Sequence, residues 1–141
     1  MFHFSKLTGY SLMILQAMYH TDSHFLNSTA IVKMVDIPQP MLQKVLRQLR
    51  RAGYIKSSRG RGDVCGGYSL VKDLETETIY DLINALHGQS NPKNPRPILQ
   101  NSIPCESISD YFDLYGIRDE VCRINAVIGQ ELSRNTLASL F

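Results

Sequence analysis

The chain has 141 residues, 43% hydrophobic and 20% charged, with 15 basic against 13 acidic side chains and a formal net charge of +2. This length bounds it to one ordinary globular domain, or one domain with a helical arm, and its apolar runs break well before the roughly 18 residues that a bilayer crossing needs. Three cysteines are an odd set in a chain long enough to bury a core, and no basic stretch precedes an apolar segment with a cleavage site, so the expectation is a cytoplasmic, reducing setting with no disulfide framework and no membrane partner.

Leu7, Tyr10, Ile14, Leu15 and Met18 recur at three- and four-residue spacing, which predicts a helix over residues 7–20, broken by the segment HTDSHFLN. Ser28 is expected to cap a short second helix carrying Ile31, Met34 and Val35. Asp36-Ile37-Pro38 should stop it, because proline disfavours helical geometry in the residue before it. Pro40 suits the first turn of a third helix, where a missing amide hydrogen does no harm. That helix has an apolar stripe of Leu42, Val45, Leu46 and Leu49 and a polar face of Gln43, Lys44, Arg47, Arg50 and Arg51, with Gly53 as its stop. The period then changes to two short strands, 54–57 and 67–71, joined across RGRGDVCGG, which reads as a hairpin with a basic tip.

Residues 78–87 predict a fourth helix, with Thr78 and Asp81 in capping-box spacing and Ile79, Leu82, Ile83 and Leu86 on one face. Pro92, Pro95, Pro97 and Pro104 then mark a long connection of a kind that is usually functional. Beyond a short helix over 107–115, the longest helix runs from Ile117 to about Arg134, with Val121, Ile124, Val127, Ile128 and Leu132 at helical spacing. Its apolar face is expected to bury itself in a second copy of the chain, packing back on its own domain being the alternative. The expected units are therefore 1–88, a connecting loop over 89–106 and dimerisation helices over 107–141.

Charge is unevenly placed. Lys33 to Arg61 holds eight basic residues and one acidic residue, net +7, whereas residues 72–141 hold six basic and ten acidic, net −4. One third of the protein suits a polyanion. Helix, short helix, tight turn, basic helix and glycine-arginine hairpin is the order of a winged helix-turn-helix. In that arrangement one helix enters the major groove of double-stranded DNA with its polar face towards base edges. Arg59 and Arg61 at the wing suit the negative potential of a narrow minor groove.

The run MLQKVLRQLRRAGYIKSSRG followed by GGYSL resembles the winged-helix regulators that include IscR, NsrR and CymR. The resemblance rests on Leu42, Leu46, Leu49, Ala52, Gly53, Tyr54, Ile55, Ser57, Arg59, Gly60, Gly66, Gly67, Tyr68 and Leu70, with SKLTGYSLMIL similar to the family's first helix and TLASL to the element after its dimerisation helix. The wing departs from the pattern by an insertion, Asp63-Val64-Cys65. The resemblance implies a mainly α fold with a small β-hairpin wing and a long C-terminal dimerisation helix. It places Pro40 and Gln43 against base edges and Arg59 in the minor groove. Gln43 suits that role on chemical grounds, since glutamine pairs bidentately with adenine. Lys44, Arg47 and Arg51 are expected on phosphates, with Ser28, Thr29 and Ser57 as candidate phosphate donors.

The family often holds an iron-sulfur cluster on three closely spaced cysteines before the last helix. Here only Cys105 lies in that loop, Cys122 falls within the helix and Cys65 in the wing, which is fewer than the four ligands a cluster usually takes. The expectation is no cofactor, with a cluster on Cys105, Cys122 and partner residues as the alternative. His20 and His24 have metal-pair spacing but flank a turn-like Asp22-Ser23, and read as surface histidines. Cys122 reads as a packed residue, and Cys105 as a thiol able to sense oxidants or electrophiles. No nucleophile-base pair, phosphate loop or closed metal set is present, so no enzyme is expected. The reading is a homodimeric transcription regulator, a repressor, answering a redox or metabolic signal carried by a small molecule or a protein. The alternative is a winged-helix protein that works mainly through a partner such as a metabolic enzyme.

Overall fold

A computed structural model describes residues 5–21, 25–60, 66–87 and 117–141, with side chains at all of these except 87, 117–119, 121, 122 and 125. The expected helix over 107–115 and the whole proline-rich connection over 89–106 lie outside the described residues. In chain order the elements are α1 (Lys6–Tyr19), α2 (Ser28–Met34), α3 (Gln39–Arg51), β1 (Ile55–Ser58), β2 (Gly67–Leu70), α4 (Ile79–His87), α5 (Ile117–Leu132) and α6 (Leu137–Leu140). The fold is mainly helical with one small antiparallel hairpin, as the sequence predicts.

Helices α1, α2 and α3 bury one stripe each in a common core that includes Ile14, Leu15, Ile31, Leu42, Val45, Leu46 and Leu49. The cap of α2 is Asn27, not Ser28: Asn27 Oδ1 accepts from the Ala30 amide at 2.7 Å. Leu26 exchanges two backbone hydrogen bonds with Tyr68, at 2.9 and 2.8 Å, so the chain stays extended through Asn27 and Ser28 becomes the first helical residue. Gly53 ends α3 at φ +81. Its amide donates to the Arg50 carbonyl at 3.1 Å and the Tyr54 amide to the Leu49 carbonyl at 3.0 Å, the two bonds of a Schellman turn.

The hairpin pairs Ile55 with Leu70, Lys56 with Ser69, Ser57 with Tyr68 and Ser58 with Gly67. The Leu26–Tyr68 bridge attaches its outer edge to the α1–α2 connection, and here a glycine is needed. A Cβ on Gly67 would lie 2.8 Å from the Leu26 carbonyl oxygen, and one on Gly66 would lie 2.6 Å from that of Ser58. The expected capping box of α4 forms with aspartate in place of the longer glutamate: the Thr78 amide donates to Asp81 Oδ2 at 2.9 Å, and the Asp81 amide to Thr78 Oγ1 at 3.2 Å.

After α5 the chain returns to the domain. The Leu137 amide donates to the Glu77 carbonyl at 2.7 Å and the Ala138 amide to the Leu74 carbonyl at 2.9 Å, while Thr136 caps α6 and bridges to Thr78. Leu137 is fully buried in the same core as Ile14 and Leu82. The His20 ring nitrogen Nε2 meets the Phe141 carbonyl at 2.8 Å, which ties this segment to the end of α1 as well.

Candidate nucleic-acid interface

Val35 and Ile37, both buried, anchor the turn between α2 and α3, so the outer face of α3 is fixed by the core beneath it. Pro40, Gln43, Lys44, Arg47 and Arg51 are all exposed, and at about 100° per residue they share roughly 100° of the helix circumference, opposite the buried leucines. The structure thus brings five of the expected site residues onto one face. No side chain caps the start of α3 and no carboxylate lies in its first turn, which leaves the positive end of the helix dipole unneutralised there.

Among the described residues the ion pairs are Lys72–Glu77, Arg123–Glu120 and Arg134–Glu131, and none involves Lys44 or Arg47. Lys72, Arg123 and Arg134 are thus matched by acids, whereas Lys44 and Arg47 have no described carboxylate against them. The hydrogen bond from Arg123 holds the Glu120 carboxyl below its usual range.

Arg50 flanks the face and donates from Nη1 to Ser57 Oγ at 3.2 Å, linking the last turn of α3 to β1. Ser57 therefore sits beside the cationic face with its own hydroxyl proton left to donate. Arg59 is exposed just past the end of β1. Ser28 is half-buried at the start of α2 and takes no part in its cap. Arg61 and Cys105 lie outside the described residues, as do Cys65 and His24, and the side chain of Cys122 on α5 is likewise not described.

Among the described residues no three His, Cys, Asp or Glu side chains come together as a metal-ligand group. His20 is exposed and directs Nε2 to the Phe141 carbonyl. The described residues therefore do not furnish a cluster site. No described helix is long and apolar enough to cross a membrane.

Sequence reasoning missed the residues that hold α3 from behind. Tyr54 is fully buried; its hydroxyl donates to Glu77 Oε2 at 2.7 Å, and Lys72 Nζ donates to Glu77 Oε1 at 3.2 Å while lying 4.6 Å from the centre of the Tyr54 ring. No periodicity reports such a contact across 23 positions. Burial first, then the hydrogen bond and charge of Glu77, raise the Tyr54 phenol well above its ordinary value. With a raised folded pKa, this group contributes its full stability below the unfolded value of 10.0, and that contribution is lost as the pH rises above it. The loss is about 1.4 kcal/mol per pH unit. In urea titrations repeated across the alkaline range, Tyr54→Phe is expected to flatten the fall in stability by that slope.

A helix-turn-helix with a cationic outer face on its second helix, followed by a two-stranded wing, defines a winged-helix regulator of transcription. The profile of the Rrf2 family, described as iron-dependent transcriptional regulator, matches residues 4–141, and the chain belongs to that family. It is 34% identical over 95 residues to an Rrf2-like HTH-type regulator of Rhodobacter capsulatus, covering 66% of this chain and 54% of that one. It is 29% identical over 98 residues to the HTH-type regulator YffB of Lactococcus lactis, covering 70% and 60%. The chain thus spans little more than half the length of these curated relatives. Its fold is similar to CymR, the global cysteine regulator of Bacillus subtilis, with a TM-score of 0.63, 26% identity and coverage of 99% and 96% of the two chains. It is also similar to IscR of T. potens, with a TM-score of 0.63, 18% identity and coverage of 99% and 85%.

Proposed function

We propose that the chain is a sequence-specific DNA-binding repressor that acts as a homodimer, with α3 in the major groove and the wing along the adjacent minor groove. The observation that carries this reading is the outer face of α3, where Gln43 stands among Lys44 and Arg47, cations that no described carboxylate neutralises. Gln43 and Pro40 read base edges, Lys44, Arg47 and Arg51 grip phosphates with Ser28 and Ser57 beside them, and Arg59 and Arg61 serve the wing. Dimerisation draws support from α5, where Ile124 and Val127 are 43% and 46% exposed on a 16-residue helix. Selection of duplexes from a random pool tests the reading. Recovered sites should be pseudo-palindromic, and Gln43→Ala should relax preference at one base pair per half-site by about 1–3 kcal/mol. Random recovered sequences would refute specific binding.

The signal in this reading is a thiol, with no cofactor. It rests on the donor count, since the chain's three cysteines fall at 65, 105 and 122 rather than in one closely spaced set. Cys105, in the connection before the last helices, is the sensing residue, and Cys105→Ser should keep its duplex in peroxide concentrations that release the wild-type protein. Stoichiometric iron and sulfide in anaerobically purified protein would replace the thiol with a cluster.

A further inference from the structure

Helix α3 carries glutamines at 39, 43 and 48. Gln39 and Gln43 are exposed, whereas Gln48 is half-buried. At 100° and 1.5 Å per residue, Gln39 and Gln43 lie about 40° apart around the helix and about 6 Å apart along it. Gln48 lies about 140° from Gln43, on the other side. The two exposed glutamines therefore form one line of carboxamides running into the cationic face, and Arg47 continues it one turn later.

Gln39 is the first residue of α3 and is held between Pro38 and Pro40. Proline locks its own φ, and the residue before one loses freedom as well, so the backbone on both sides of Gln39 is stiff. The Met41 and Leu42 amides close the first turn on the Pro38 carbonyl, at 2.9 and 3.0 Å, and the buried Ile37 fixes the chain just before it. Little backbone entropy is left to lose when this carboxamide meets a ligand. The N-terminal residues of a recognition helix are the ones that meet base edges, and a glutamine carboxamide matches the N6 and N7 edge of adenine.

We propose that Gln39 is a second base-reading residue, which with Gln43 recognises two A·T base pairs about two steps apart in each half-site. This rests on the DNA reading above and deepens it. Base pairs rise about 3.4 Å per step, so an offset of about 6 Å between the two side chains spans about two of them. Neither glutamine carries a charge, so the pair supplies sequence preference without adding to the grip on phosphates.

The test selects duplexes from a random pool with the full chain and with Gln39→Ala, Gln39→Arg, Gln43→Ala and Gln48→Ala. Gln39→Ala should lose its preference at one A·T pair per half-site, with about a tenfold drop in discrimination there. Its melting temperature and the salt dependence of its binding should stay as in the wild type. Gln43→Ala should act in the same way at a different pair about two steps away, and Gln48→Ala should change neither. Gln39→Arg should exchange A·T for G·C at the position that Gln39 reads, because arginine pairs bidentately with guanine O6 and N7. A residue that only shaped the helix would not produce that exchange. The proposal is overturned if Gln39→Ala leaves every position as selective as before, weakens all sequences alike, or relaxes the same pair as Gln43→Ala. It is likewise overturned if the arginine variant keeps the A·T preference. In those cases a Gln43 effect alone keeps the DNA reading intact, whereas random sequences recovered by the wild-type protein would remove both.

Discussion

Replacing Lys44 and Arg47 together with alanine should weaken duplex binding about tenfold or more near physiological salt, and should flatten the slope of log affinity against log salt by about 1.8. Each cation that neutralises a phosphate releases condensed counterions, and about 0.9 of slope goes with each contact on B-form DNA. Both side chains are exposed on α3 and neither is held by a described carboxylate, so their charge is available to a phosphate and the fold loses little with them. Arg123→Ala and Arg134→Ala provide the comparison, because those guanidinium groups sit on Glu120 and Glu131 of α5. They should leave the slope unchanged. An unaltered slope in the Lys44/Arg47 variant would move the DNA-contacting surface away from α3.

Leu137→Ala is expected to be the most destabilising change at the C-terminal end of the chain, costing about 2–5 kcal/mol. At this chain length that corresponds to a fall in melting temperature on the order of 10 °C. Leu137 is fully buried in the core that also holds side chains of α1, α3 and α4, and its amide is bonded to the Glu77 carbonyl. Truncation there opens a cavity in the DNA-binding domain itself, although the residue follows the long α5 helix. Its neighbour Leu140 is 47% exposed, and Leu140→Ala should change stability by less than about 1 kcal/mol. Equal, small effects from both substitutions would show that α6 does not contribute to the core.

Much of the winged-helix body was legible because its signals are local. The stripe Leu42-Val45-Leu46-Leu49, the Gly53 stop and the Thr78–Asp81 box each depend on residues a few positions apart, and each forms as expected. The cationic face of α3 was legible for the same reason, since helical periodicity alone sorts Lys44 and Arg47 from the buried leucines. The cap of α2 was not. Asn27 and Ser28 are both good caps by composition, and the choice between them was made by Leu26, which Tyr68 holds in an extended bridge from 42 positions away.

By itself the sequence determined the order of the elements and the charged face of the third helix, because short-range spacing and composition carry those properties, and its resemblance to known winged-helix regulators pointed to the class. Only the tertiary structure decided what lies behind that face. Tyr54 meeting Glu77 and Leu137 entering the core both join residues from distant stretches of chain. Such pairings are selected by the free energy of the whole packed domain, in which burial and backbone hydrogen bonding must be satisfied together, and no local pattern encodes that balance.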